Sequence, residues 1–306
     1  MADNDDFDKY GIITSIDDIT PAVIRAMSHA ENPRLREVME AFVRHMHAFV
    51  REVRPTDEEF EIGIDFLNGI GKTTTDKYND AILFSDVFGI STLVTLLNNG
   101  MGGPMEPATA LLGPFWRMNS PLTEHGASIV RCPTEGPAMF ANMRITDNQG
   151  QPIAGAEVDV WHASSVGMYD VQDNGQVEWN LRGKFITDAD GRFSFRSIRP
   201  VGYPIPTHGP SGPILAAQKR KPQRPAHLHF LAFKPGFKTL ITQIFLADDP
   251  DIERDVTFGV TPHLIGDYKR QTGPAPAADV TGEWFSLDHT LVMVPGEAVL
   301  PKPPID

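Results

Sequence analysis

Apolar residues recur at three- and four-residue steps through Leu35, Val38, Met39, Phe42, Val43, Met46, Phe49, Val50 and Val53, which places them on one stripe of an α-helix. Asn32 as a cap and Pro33 at the first helical position mark its start. Thr20-Pro21 opens an earlier segment with Val23, Ile24 and Met27, and Thr56 with Glu59 has the spacing of a capping box. A further helix carries Ile82, Leu83, Val87, Phe88, Ile90, Leu93, Val94 and Leu97, and ends at Asn98-Asn99-Gly100. So many apolar side chains exceed what a small bundle buries, so this region is expected to dock on the rest of the chain or on a second copy.

Beyond about residue 125 the texture changes to short alternating runs between turn residues, which predicts an antiparallel β-sandwich. Strands are expected over 139–145, 156–162, 192–198, 226–233 and 239–245, with turns at Asp147-Asn148-Gln149-Gly150 and Asp188-Ala189-Asp190-Gly191. The run 199–206 holds three prolines and reads as a loop. The expected fold class is therefore mainly β: an N-terminal helical domain over 1–105 and an antiparallel β-sandwich domain over 106–306.

Charge narrows the partners. Forty acidic against 27 basic residues give a net charge of -13, which repels nucleic acid and anionic lipid surfaces. The basic run Lys219, Arg220 and Lys221 reads as a solvated loop. Apolar runs are short and interrupted by charge, so no membrane span is expected, and the acidic start is unlike a secretory signal. With a single cysteine, Cys132, and so no internal disulfide, the expected setting is cytoplasmic.

His227 and His229 flank Leu228 in an expected strand, whose two-residue period turns both imidazoles to one face and Leu228 to the other. On spacing alone they are either metal ligands or two hydrogen-bonded structural histidines. Lack of a second cysteine and of a His-Glu-X-X-His helix argues against thiolate or protease-type zinc sites. Tyr169 and Tyr203 stand out among five tyrosines because both lie in loop-like contexts of the β half, where a ring packed on the core edge is the plainer alternative. His162 follows a strand end, His208 lies in a Pro/Gly loop, and His125 and His263 have no partner visible in sequence, so none is expected to be a ligand.

Several motifs resemble the intradiol ring-cleavage dioxygenases: Leu111-Leu112-Gly113-Pro114-Phe115-Trp116, Val158-Asp159-Val160-Trp161-His162-Ala163, Leu181-Arg182-Gly183-Lys184-Phe185, Gly202-Tyr203-Pro204-Ile205-Pro206, Arg224-Pro225-Ala226-His227-Leu228-His229-Phe230 and Asp255-Val256-Thr257-Phe258-Gly259-Val260. The resemblance implies one iron(III) per subunit held by Tyr169, Tyr203, His227 and His229, which cleaves an aromatic diol with O2. It also implies that Tyr203 leaves the metal and takes up a proton, that Arg224 stabilises charge on the ring, and that Gln243 helps position oxygen. Two phenolates are hard anionic donors suited to iron(III).

By the same resemblance the substrate pocket is formed by Leu83, Asp86, Gly113, Pro114, Phe115, Ile205, Pro206, Arg224 and the 258–260 stretch with Phe258 and Val260. Asp86 could accept a hydrogen bond from a third ring hydroxyl, which favours hydroxyquinol; catechol and chlorocatechol are the alternatives. The relatives that carry N-terminal helices also imply a homodimer through those helices, with a bound phospholipid. A non-enzymatic transthyretin-like sandwich is the competing class, supported only by strand patterns such as 155–160.

Overall fold

A computed structural model describes residues 10–75 and 78–305. It divides into two compact units, Met1–Leu67 and Asn68–Asp306. The acidic start, residues 1–8, lies outside the described residues.

In the first unit a 3-10 turn (Ile16–Asp18) leads into α1 (Ile19–Met27) and α2 (Pro33–Val53), and α3 (Asp57–Thr73) begins. The caps act as the sequence dictates. The Asn32 side chain accepts from the backbone of Arg34 and Leu35, and Thr56 and Glu59 bond each other's backbone N–H groups at 3.2 and 2.8 Å. Of the predicted α2 stripe, Val43 is buried while Leu35, Val38, Phe42, Met46, Phe49, Val50 and Val53 stay exposed.

The second unit holds α4 (Asp80–Val87), α5 (Ile90–Asn99) and the sheets. The single helix expected over 82–97 is two, bent by 74° at Phe88-Gly89. No single described helix is long and apolar enough to cross a membrane.

Strands β1 (Ala138–Asp147), β4 (Arg192–Ile198), β10 (Tyr268–Gln271) and β11 (Trp284–Met293) form one sheet in the order β10-β11-β1-β4. Strands β2 (Glu157–Trp161), β3 (Arg182–Ile186), β7 (His227–Phe233), β8 (Leu240–Leu246) and β9 (Ile265–Gly266) form a second, in the order β3-β2-β7-β8-β9. A short ladder pairs β5 (Tyr203–Pro204) with β6 (Gln223–Arg224), inside a run expected to be loop. Met139, Phe195 and Leu287 from the first sheet and Val160, Leu228 and Phe230 from the second are buried in one apolar cluster.

Two expectations are corrected. The sheets are mixed rather than antiparallel, because β1 pairs β11 in parallel over ten residues and β8 pairs β9 in parallel. The partners of β1 and β11 are far apart in sequence, so no hairpin turn forces them to run in opposite directions. Nor is the chain mainly β: among the described residues six α-helices give helix and strand in comparable amounts, and one of them, α6 (Ser211–Ala217), lies in the half expected to be all strand and loop.

Candidate active site

Strand registers build the site. The two-residue period puts Leu228 in the apolar cluster and His227 and His229 on the opposite face of β7. Across the ladder His229 pairs Trp161 on one side and Gln243 on the other, while Tyr203 pairs Arg224 in the β5–β6 ladder. Tyr169 comes from the loop between β2 and β3. That loop closes on Tyr203 only because residue 167 is glycine: its φ is +77°, and a β-carbon there would lie 2.6 Å from that of Tyr203.

The four expected ligands converge. The Tyr169 hydroxyl lies 3.0 Å from the Tyr203 hydroxyl and 3.0 Å from His229 Nε2. His227 Nε2 is 3.1 Å from His229 Nε2 and 3.5 Å from the Tyr203 hydroxyl. Donors about 2.0–2.2 Å from one shared ion stand about 3–3.5 Å from one another, so the spacing suits a common metal. His227 Nδ1 lies 2.7 Å from the Pro225 carbonyl, which fixes the proton there and leaves Nε2 as a lone-pair donor. His229 is stacked on Trp161 at 4.7 Å, and its Nδ1 has no hydrogen-bond partner. Among the described residues no three of His, Cys, Asp and Glu gather as a metal cluster, so the phenols are what complete this donor set.

Burial, then the neighbouring Tyr203, raises the Tyr169 pKa well above its usual value. Burial also raises that of Tyr203, against the opposing pull of Arg224. Both imidazoles are pushed down, by burial first; the next largest cause is Arg224 for His227, and His227 itself for His229. Left to themselves the phenols keep their protons and the rings stay neutral. A cation held by their oxygens would reverse that preference for the phenols, as cations do for their ligands.

Beside the donors lies a buried network. Arg224 reaches His227 Nε2 at 3.3 Å and donates to Gln243 Oε1 at 2.9 Å and to Asp255 at 3.2 Å. Burial disfavours its charge, but the Asp255 carboxylate, the largest opposing cause, holds its pKa above the usual value. Gln243 Nε2 donates to the Leu111 carbonyl at 2.7 Å, which fixes the amide's orientation. Asp255 also accepts from the Thr257 hydroxyl and the Gly259 amide, so it holds the 255–259 turn against Arg224.

A cleft of about 460 Å3 is lined by Asp86, Tyr78, Ile82, Leu111, Gly113 and Pro114. Its floor meets the donors at Gly113, where a β-carbon would lie 3.1 Å from the His229 ring. Leu83 and Ile205 pack together with Val256. Pro206 is partly buried, and the Phe115 ring lies 4.6 Å from that of Tyr169. Val260 packs against Phe245, whose ring is 5.2 Å from His227. Phe258 is placed differently from its neighbours: it is 52 % exposed, lying against Gly89 and under the Arg220 guanidinium. Burial raises Asp86 from 3.8 to about 6, with Ser91 and Arg224 pulling the other way.

Three contributors were not anticipated as functional: Asp255, Trp161 and the buried Asp170–Arg182 pair at 2.6 Å, which anchors the residue after Tyr169. The available signal was supply of charge, since arginines in apolar strands need buried carboxylates.

Two mixed sheets thus bring Tyr169, Tyr203, His227 and His229 together beside a small cleft, an arrangement of donors that suits a metal. Comparisons with known proteins agree. The family model described as "Dioxygenase" matches residues 111–286, and "Catechol dioxygenase N terminus" matches 32–102. The chain belongs to the intradiol ring-cleavage dioxygenases, an oxidoreductase family, which sets aside the transthyretin-like alternative. A hydroxyquinol 1,2-dioxygenase of Rhizobium sp. (strain MTP-10005) is 41% identical over 89% of this chain and 92% of its own. A 6-chlorohydroxyquinol 1,2-dioxygenase of Cupriavidus pinatubonensis is 42% identical over 89% and 97%. The solved hydroxyquinol 1,2-dioxygenase of Pseudomonas putida DLL-E4 superposes with a TM-score of 0.84 at 35% identity, covering 92% of this chain and 99% of its own.

Proposed function

We propose that this enzyme opens hydroxyquinol between its two adjacent hydroxyl-bearing carbons, placing both atoms of O2 in a ring-opened 3-hydroxymuconate that tautomerises to maleylacetate. The observation that carries the substrate is Asp86, a buried carboxylate lining the cleft. A third ring hydroxyl gives it a further donor beside Ser91, which plain catechol does not offer, a difference of about 1.5–3 kcal/mol for a hydrogen bond to a charged group. Relatives named for hydroxyquinol support the same choice.

The residues present fit one iron(III) per chain: Tyr169, Tyr203, His227 and His229 would hold it. When bound, the ion acidifies the diol and draws electron density from the ring so that O2 can react there. The chain's own residues do the rest. The Tyr203 phenolate oxygen would take up a proton from the incoming diol. Arg224, kept charged by Asp255, sits where it can stabilise negative charge on the ring. Gln243, locked between Arg224 and Leu111, positions oxygen beside the reacting carbon. Leu83, Phe115, Ile205, Pro206 and Val260 exclude water and shape the wall, with Gly113 and Pro114 as its floor.

On this reading the sheets form the family's catalytic sandwich, with a functional boundary near residue 105, between the two matched segments. The exposed apolar side chains of α2 support a homodimer through the N-terminal helices, and the resemblance adds a phospholipid between them. A lone cysteine accords with a cytoplasmic setting.

The test is turnover of hydroxyquinol and catechol under 18O2 by the iron-loaded chain and by Asp86→Asn. Two labelled oxygens in the product, and a hydroxyquinol preference in kcat/KM that falls about tenfold or more in the variant, are expected. A wild-type preference for catechol overturns the substrate; single-atom incorporation overturns the reaction.

A further inference from the structure

After β11 the chain turns back along the second sheet. The Gly296 amide donates to the Gly236 carbonyl at 3.1 Å, and Pro295 bridges Phe237, so the tail starts from the β7–β8 connection. Val299, Leu300 and Pro301 then line a cavity of about 790 Å3 that also touches Ser91, Leu111 and Leu112. Lys302, Pro303, Pro304 and Ile305 go on to line the neighbouring cleft, the one containing Asp86, Gly113 and Pro114. Ile305 packs against the cluster of Phe115, Trp116, Tyr169 and Tyr203.

Among the described residues, no backbone–backbone hydrogen bond holds 297–305. The segment is therefore held by side-chain packing, and prolines at 301, 303 and 304 reduce the conformational freedom lost in laying it down. An extended stretch of this kind, tied at its far end by one apolar side chain, opens more readily than a strand within a sheet.

We propose that residues 302–305 are the outer wall of the substrate site and set the size of ring substituent it accepts, an inference that rests on the substrate reading above. Pro303, Pro304 and Ile305 supply an apolar surface opposite Gly113 and Pro114, against which a ring substituent collides. Lys302 and Asp86 are the one cation and the one carboxylate among the described residues lining the cleft. A ring-opened dicarboxylate leaving past Asp86 meets like charge, in a molecule already at -13, and Lys302 supplies the opposite charge on the way out.

The experiment compares the iron-loaded full chain with a chain ending at Pro301 and with Lys302→Glu, with Glu297→Gln as a charge control on the same tail outside the cleft. Hydroxyquinol and 4-tert-butylcatechol are the substrates, cis,cis-muconate is the inhibitor, and the tyrosinate-to-iron absorption band reports the metal site. Truncation is expected to keep the band and raise the kcat/KM of the bulky diol relative to hydroxyquinol by about fivefold or more. Lys302→Glu is expected to weaken muconate inhibition by about threefold at low salt, an effect that shrinks at high salt, while Glu297→Gln leaves inhibition as it was. Substrate ratios within about twofold of wild type with the band retained overturn the proposal. If the truncated chain does not fold, unchanged inhibition of Lys302→Glu overturns it instead. A wild-type chain that takes up no iron and opens no diol overturns the substrate reading first, and the wall with it.

Discussion

Asp86 pays for its position in stability. Raised from 3.8 to about 6, it costs about 3 kcal/mol once ionised in the folded chain. Because the folded pKa lies above the unfolded one, that cost is absent below about pH 4, grows as pH rises, and is complete above about pH 6. Asp86→Asn should therefore raise the melting temperature at pH 8 and leave it unchanged near pH 4, while losing the hydroxyquinol preference; equal melting curves at pH 8 would contradict the burial argument. In the wild type the same titration should raise the KM for hydroxyquinol below about pH 6 while that for catechol holds. Asp255→Asn leaves Arg224 charged and buried with its carboxylate gone, which should cost about 3–5 kcal/mol in chemical denaturation and lower kcat more than about tenfold. Gly167→Ala should bleach the absorption band, since its β-carbon has no room beside Tyr203. His227 and His229 were legible from their spacing and the tyrosines only from resemblance, because a loop tyrosine carries no periodic signal. Asp255 could not be read as functional, since its role depends on a turn that folds it back onto Arg224 across 31 residues.

At the level of elements, strong periodicity and caps located α2, the start of α3 and the strands that bear His227, Gln243 and Trp161. The helix over 82–97 was misjudged because its apolar pattern continues unbroken through Phe88-Gly89, where the chain turns through 74°. That corner is what brings Asp86 to the cleft on α4 and Thr92 of α5 to the Thr257 carbonyl. Arg220, expected in a solvated loop, instead donates to the carbonyls of Val87 and Val256 and lies over Phe258. It ties the end of α4 to the turn that holds Asp255. Arg220→Ala should cost about 1–2 kcal/mol in denaturant unfolding and raise KM more than it lowers kcat; an unchanged midpoint would mean the residue is merely solvated. The parallel pairing of β1 with β11 had no local signature, since a strand's alternation is the same whichever way its neighbour runs.

For the molecule as a whole, the acidic balance argues against nucleic acid and the interrupted apolar runs against a membrane span, while the small-molecule site is signalled by the His227-Leu228-His229 spacing and the family resemblance. What they leave unassigned is the exposed face of α2, where Phe42 is 64% exposed in the single chain. If that face joins two copies, sedimentation should give a dimer, and Phe42→Glu should give a monomer that still takes up iron; a wild-type monomer at micromolar concentration would remove the dimer from the account. Binding of iron by Tyr169, Tyr203, His227 and His229 beside a cleft suited to a trihydroxybenzene would give the protein a visible colour that responds to substrate. The visible spectrum of the purified protein, titrated anaerobically with hydroxyquinol and in parallel with catechol, tests it most directly. A broad tyrosinate-to-iron band that shifts at lower hydroxyquinol than catechol concentration is the predicted result, and Tyr169→Phe should abolish or shift it. A protein that stays colourless after reconstitution with iron would contradict the account.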